Sequence, residues 1–284
     1  MYSQLAPRAS TNRICKRPEE PRGWRHMDEQ GATANAAEPL AIVVPTLNEA
    51  ENVEPLVELL LLYARVPVEI LFVDDGSTDG TRARVRALSL TKPVRLIERD
   101  SSTLGLAGAV IAGARAAHGD LLIVMDADLS HPPQSIPELL RPIIEARADM
   151  VIGSRYVPGA STPGWPVWRR LMSRSAAAFA FPLTRVHDSL AGFFAIRRTV
   201  LLELAPRATG FKIAFETIMH GRGRLRVLEI PILFRDRARG TSKMRFSVAA
   251  IFFLRWLAAL GSLITRKRIP SVALASPQEK SDVN

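Results

Sequence analysis

LLIVMDADLSHPP (121–133) runs through apolar residues into two carboxylates, Asp126 and Asp128, separated by Ala127. Two acids this close repel, and each loses hydration if the preceding run is buried, so the pair needs a counter-charge. A divalent cation supplies one. Oxygen donors select Mg2+ or Mn2+, and Mg2+ takes one or two carboxylates and completes its shell with phosphate oxygens and water. The bland alternative is that one Asp caps the following helix while the other is solvated. Three further polar segments argue for a site. VVPTLNEAENV (43–53) carries Asn48 and Glu49, ILFVDDGSTDGT (70–81) carries Asp74 and Asp75, and VIGSRY (151–156) carries Arg155.

The elements that must position these residues alternate in type. Leu40 to Val44 reads as a buried strand. Asn48 or Glu49 opens a helix with Val53, Leu56, Val57, Leu60 and Leu61 at helical spacing. Residues 68–88 read as strand, acidic turn and helix, with Ser77 or Asp79 as the cap. A strand at 94–100 follows, then a small-residue helix at 105–119 stopped by Gly119, and a strand at 120–130. PPQSIPELL opens another helix, and 149–156 is a fifth strand. Continuously apolar strands alternating with helices predict an α/β fold with a mostly parallel central sheet and flanking helices. Ligands bind beyond the carboxyl ends of such strands, where Glu49, Asp75, Asp126 and Arg155 fall. If strand geometry continues through 126–128, Asp126 and Asp128 project to one face and share a ligand. DDGSTDGT lacks the Gly-Lys-Ser/Thr of a P-loop, and GLAGA (105–109) lacks the dinucleotide fingerprint.

Composition narrows the function classes. The 284 residues carry a net charge of +10 and a single cysteine, Cys15, which excludes a disulfide framework within one chain. The basic balance suits nucleic acid, an anionic membrane surface or phosphorylated ligands. Zinc-finger spacing, zipper heptads and RNA-binding aromatic signatures are all missing, so we expect no nucleic-acid partner. A haloacid-dehalogenase phosphatase also uses an apolar strand ending in D-x-D and a second ending in Asp-Asp. Here VDD precedes DAD, the reverse of that family's order.

VVPTLNEAENV, FVDDGSTDGT, LGLAGAV, MDADLSHPP, VIGSRYVPG, GW…RRLMSR, Asp188 through GFFAIRR, GFKI and FRDRARGTSKM occur together and in order across about 41–245. In this the chain resembles family 2 glycosyltransferases of the GT-A (Rossmann-like) nucleotide-diphospho-sugar transferase fold, and within them the dolichol-phosphate (polyprenol-phosphate) mannosyltransferase branch. The resemblance implies inverting transfer of mannose from GDP-mannose to a dolichyl or polyprenyl monophosphate. It implies that Pro45, Glu49, Val73 and Asp75 border the nucleotide. Asp126, Ala127 and Asp128 would hold diphosphate and a Mg2+ or Mn2+ ion, with Asp126 and Asp128 as metal ligands. Arg155 would approach the donor, Arg237 and Lys243 would clamp phosphates, and Arg169 and Ser173 are acceptor-phosphate candidates. Alternatives are a family 2 transferase using another nucleotide sugar, such as UDP-glucose, and a catalytically silent GT-A-like binding protein. The chain departs from the branch pattern at Leu47, where Tyr is common, at Ser102–Thr103, where Lys is common, and in the middle of DSLAGFF.

The expected organisation is a disordered basic tail at 1–38, with Met27 as an alternative start and no apolar signal segment, followed by a transferase domain at 39–245. A membrane-associating apolar helix at 246–268 and a disordered tail at 269–284 complete it. FSVAAIFFLRWLAALGSLI (246–264) carries Arg255 in its middle, which costs roughly 2.5–3.5 kcal/mol in a span. We therefore expect the helix to lie in the interface, with basic residues holding the protein to the cytoplasmic face.

Overall fold

The computed structural model describes residues 39–64, 66–99, 105–205, 212–221 and 223–236. Ser102–Thr103, Arg237, Lys243, the apolar 246–268 segment and both expected tails lie outside the described residues.

Seven strands form one sheet: β1 (Leu40–Thr46), β2 (Val68–Asp74), β3 (Val94–Glu98), β4 (Leu121–Val124), β5 (Met150–Ser154), β6 (Phe194–Arg197) and β7 (Val227–Pro231). Their order is β3-β2-β1-β4-β6-β5-β7. All pairings are parallel except those of β6, which runs antiparallel to both β4 and β5. The helices are α1 (Ala50–Tyr63), α2 (Thr81–Ser89), α3 (Gly105–Ala116), α4 (Ile136–Ile144), α5 (Val167–Thr184), α6 (Arg198–Leu204) and α7 (Ile213–His220).

The apolar strands are covered on both faces, which is why they lack alternation. Ile42 and Val44 of β1 and Ile70 and Phe72 of β2 pack with Val53, Leu56 and Leu60 of α1 and Leu139 of α4. Their alternate neighbours Ala41, Val43, Leu71 and Val73 pack on the other face with Ala107, Val110 and Ala114 of α3. The small residues of α3 bring it close to the sheet: a Cβ on Gly113 would lie 2.5 Å from Val43 Cγ1.

Two element ends and two strands differ from expectation. β4 stops at Val124, so Asp126 and Asp128 are not on a strand. α3 ends at Ala116 because the amides of His118 and Gly119 turn to the buried Glu69 carboxylate, at 2.6 and 3.0 Å. The strands β6 and β7 escape the apolar-run reading: FAIR is four residues long, and VLEIP interrupts its apolar residues with Glu229 and ends in Pro231.

Because β1, β2, β4 and β5 are mutually aligned, their carboxyl ends meet at one sheet edge. The reversed β6 begins at that same edge, so the segment preceding it, 188–193, arrives there too.

Candidate active site

The loops after β1 and β2 are stitched to each other. The Asn48 amide donates to Ser77 Oγ at 2.8 Å, and the Thr78 amide to Asn48 Oδ1 at 2.8 Å. Glu49 N–H reaches Thr81 Oγ1, and the Asp79 carboxylate takes the amides of Ala50 and Thr81, at the starts of α1 and α2. Asp79 thus serves two helix ends. Pro45 and Val73, expected near a nucleotide, are cross-strand partners at the ends of β1 and β2, with Glu49 and Asp75 just beyond.

The adjacent acids Asp74 and Asp75 have different environments. Burial works against Asp74's charge, but the Ser77 hydroxyl, the Arg82 guanidinium and the amides of Ser77 and Gly76 outweigh it, holding its pKa below the usual carboxylate range. For Asp75 burial wins over its 2.8 Å pair with Arg99, and its pKa is raised. Asp74 is thereby a structural acid. With its folded pKa below the unfolded value of about 3.9, it supplies stability fully present above that value and lost as pH falls through the folded pKa. Asp74→Asn should therefore flatten the acid limb of stability, measured by denaturant unfolding between about pH 5 and pH 3. An unchanged acid limb would show that Asp74 is not the linked group.

Beyond β4 the ladder continues for one residue, through Met125 N–H to the Val43 carbonyl at 3.2 Å. The backbone then turns. Asp126 N–H donates to His131 Nδ1 at 3.1 Å, Asp128 Oδ1 accepts the Ser130 amide and hydroxyl at 3.1 and 2.6 Å, and Leu129 takes φ +62°. Asp126 keeps 38% of its side chain exposed while Asp128 is buried. His131 is buried, stacked on Phe193 at 5.2 Å and edge-on to Phe234 at 5.3 Å. Since Nδ1 accepts, the neutral ring carries its proton on Nε2, 3.9 Å from Asp126 Oδ2. Burial holds the His131 pKa below its ordinary value despite the nearby Asp126 and Asp128 charges.

The 188–193 segment completes this edge. A Cβ on Gly192 would lie 3.2 and 3.3 Å from the Asp126 carboxylate oxygens, so only glycine leaves that carboxylate undisturbed. Asp188, fully buried, accepts Arg155's amide, Nε and Nη2 at 2.9, 2.8 and 2.7 Å. Its own amide and that of His187 are held by Glu229. Burial opposes the Arg155 charge, but Asp188 prevails and the pKa stays above the ordinary arginine range. Tyr156, Trp165 and Phe234 surround this guanidinium at 5.2, 5.8 and 5.5 Å.

Arg169 and Ser173 lie on α5 and connect to Arg155 through aromatic rings. Arg169 stacks on Trp165 at 4.2 Å and pairs with Asp236 at 2.7 Å, and the Ser173 hydroxyl bonds to that of Tyr156. A cavity of about 360 Å³ opens beside them, lined by Tyr156, Arg174, Ala177, Ala178, Phe181 and His187. On α5, Val167, Trp168, Leu171 and Met172 are 72%, 64%, 66% and 61% exposed. Among the described residues no helix is long and apolar enough to cross a membrane, and no cluster of three or more His, Cys, Asp or Glu side chains is placed to hold a metal.

Asp126, Asp128 and Arg155 are thus gathered with residues to which motif reading gave no role: His131, Asp188, Gly192 and Lys212, whose Nζ donates to the Leu190 carbonyl. The signals for these were in the sequence, in DLSHPP, DSLAG and GFKI, but pairing across tens of residues gives them meaning.

An acidic turn after β2, a D-x-D turn after β4 and one reversed strand in a parallel sheet define a nucleotide-sugar transferase architecture of the GT-A type. Residues 41–205 match the family model "Glycosyl transferase family 2", and the chain belongs to that family. Among its relatives, a dolichol-phosphate mannosyltransferase of Pyrococcus furiosus is 40% identical over 217 residues, covering 72% of this chain and 59% of the relative. A polyprenol monophosphomannose synthase of Mycolicibacterium smegmatis is 38% identical over 76% of this chain and 84% of its own length. The dolichol-phosphate mannosyltransferase of Saccharomyces cerevisiae is 35% identical over 72% and 80%. In fold the chain is similar to glucosyl-3-phosphoglycerate synthase of Mycobacterium tuberculosis, solved with Mn2+ and UDP, at TM-score 0.61 and 22% identity over 91% of this chain and 88% of that one. Family membership displaces the phosphatase alternative.

Proposed function

We propose that this protein transfers mannose from GDP-mannose to a dolichyl or polyprenyl monophosphate at a membrane surface, with inversion at the anomeric carbon. The observation that carries the reading is 35–40% identity to proteins named for that activity, across a segment that includes Asp126, Asp128, Arg155 and Asp188.

Asp126 and Asp128 are the proposed ligands of a Mg2+ or Mn2+ ion. The fit rests on the donor set: two carboxylates at one turn, a hydroxyl at Ser130, and a neighbouring glycine that leaves the Asp126 oxygens unobstructed. When bound, the cation stabilises charge developing on the leaving nucleoside diphosphate. Pro45, Glu49, Val73, Asp75 and Ala127 border the donor in this reading. Arg155 supports the site as a fixed positive charge, and Arg169 and Ser173 flank the acceptor. Arg237 and Lys243, outside the described residues, are proposed to clamp phosphates. The nucleophile is a phosphate monoester oxygen, already ionised near neutral pH, so the chain's task is positioning and electrostatic stabilisation rather than proton abstraction.

The exposed apolar residues Trp168, Leu171 and Met172 recur at helical spacing beside the exposed Arg170 and Arg174, which supports contact with an anionic surface such as a cytoplasmic leaflet. In this reading the apolar 246–264 segment, expected from its sequence to associate with a membrane, acts alongside α5.

Gly192→Ala should lower kcat roughly ten-fold with little change in Tm, because the Asp126 carboxylate must move by a few tenths of an ångström. Steady-state rates alongside a melting curve check this, and unchanged kcat would remove Gly192 from the site. The donor is tested with a panel of labelled GDP- and UDP-sugars at fixed polyprenyl phosphate. GDP-mannose is expected to give the highest kcat/KM; preference for UDP-glucose would replace mannose in the reading.

A further inference from the structure

The two acids where β2 ends differ in what they have left to offer. Both oxygens of Asp74 are taken, by the Ser77 hydroxyl and amide, the Gly76 amide and the Arg82 guanidinium. Asp75 meets one side chain. Arg99 Nη1 donates to its Oδ1 at 2.8 Å, and among the described residues Oδ2 has no donor. The pair is enclosed, with 14% of the Asp75 side chain and 13% of the Arg99 side chain exposed. The backbone around it is fixed: Asp75 N–H donates to the Thr46 carbonyl that ends β1, and Arg99 N–H to the Asp74 carbonyl. Arg99 Nη1 also reaches the Gly105 carbonyl at the start of α3. Burial opposes the Asp75 charge, Arg99 supports it and Asp74 opposes it again. Removing Arg99 therefore takes away both the counter-charge and the bond that orients the carboxylate. An enclosed acceptor with an open oxygen calls for an N–H donor.

Strand order indicates which part of a ligand supplies that donor. The D-x-D turn follows β4, Asp75 follows β2, and β1 lies between them. Two strand spacings separate the turn from Asp75 by roughly 10 Å. A nucleotide whose diphosphate sits at the turn therefore reaches Asp75 with its base. A carboxylate repels phosphate but accepts the ring N–H that guanine and uracil carry and that adenine and cytosine lack.

We infer that Arg99 is a positioning residue for the donor's nucleobase, holding the Asp75 carboxylate so that Oδ2 accepts a ring N–H of the base. The inference rests on the reading above in which Asp75 borders the nucleotide. An arginine suits the task because its charge is permanent and its planar fork serves Asp75 and Gly105 from one face.

The test titrates the full chain and Arg99→Met with GDP and with UDP in the presence of Mn2+, and repeats the comparison in an Asp75→Asn background. The nucleotide that the wild type binds more tightly decides the result, with kcat and KM measured on the matching sugar nucleotide. Arg99→Met should weaken that nucleotide roughly ten-fold and raise KM in proportion, with kcat within about two-fold of the wild type. In the Asp75→Asn background, where the double variant strands no charge, the same substitution should cost less than about two-fold, because Arg99 acts through Asp75. An equal cost in both backgrounds would overturn the inference, since Arg99 would then act through its bond to Gly105. So would a fall in kcat as large as the fall in kcat/KM, or an Arg99→Met chain that binds the nucleotide within about two-fold of the wild type. Should the wild-type chain bind neither nucleotide, the transferase reading falls and this inference with it; should it bind one and Arg99→Met match it, only the role of Arg99 falls.

Discussion

Asp128→Asn is expected to lower metal-dependent turnover by roughly a hundred- to a thousand-fold while leaving Tm nearly unchanged. The amide oxygen can still accept the Ser130 amide and hydroxyl that hold the turn after β4, so the backbone that presents Asp126 is retained. What disappears is one of two carboxylate charges available to a divalent cation. Asp128→Ala is the harsher version: it also removes the turn's acceptor and should cost about 1–2 kcal/mol of stability. Rates measured across a Mg2+ or Mn2+ titration, with melting curves for each variant, separate the two losses. Wild-type turnover in Asp128→Asn would refute the metal assignment.

Asp188→Ala should destabilise the fold by about 3–5 kcal/mol, the largest stability effect we expect from a single site residue. Its carboxylate is fully buried and accepts the three Arg155 donors, so truncation leaves a guanidinium enclosed by Tyr156, Trp165 and Phe234 without its counter-charge. The pair should behave as a unit. In a double-mutant cycle with Arg155→Ala, the second substitution should cost much less than the first, since neither then strands a charge. Denaturant unfolding of the four proteins measures this; additive losses would mean that the pair carries no coupling. Activity should fall with Asp188→Ala as well, because the same segment carries Gly192 and Leu190 to the Asp126 carboxylate and to Lys212.

The parallel sheet was legible because its central strands are short, continuously apolar and followed by helical spacing; Val53, Leu56, Val57 and Leu60 all turn inward as their periodicity demands. The gathering of Asp75, Asp126 and Arg155 at one edge followed from strand direction alone. Other features follow from contacts that local pattern does not encode. The Asp126–Asp128 stretch was expected to keep strand geometry, yet Asp128 bonds locally to Ser130 and His131 captures the Asp126 amide, so the chain turns instead. Local hydrogen bonding of this kind competes with the ladder. β6 is too short for periodicity to find and β7 is interrupted by Glu229, and β6 is the strand whose reversal carries Asp188 and Gly192 to the site. The role of Asp188 depends on Arg155, 33 positions away, a pairing visible only in three dimensions.

The most direct test of the account is transfer itself. The purified full chain is incubated with labelled GDP-mannose, polyprenyl phosphate and Mn2+, and the organic phase is analysed for label and for the configuration of the new linkage. The account predicts cation-dependent passage of label into the lipid fraction as a mannosyl phosphate of inverted, β configuration. Failure to form any lipid-linked product from GDP-mannose or from other nucleotide sugars, or a product of retained configuration, would contradict it.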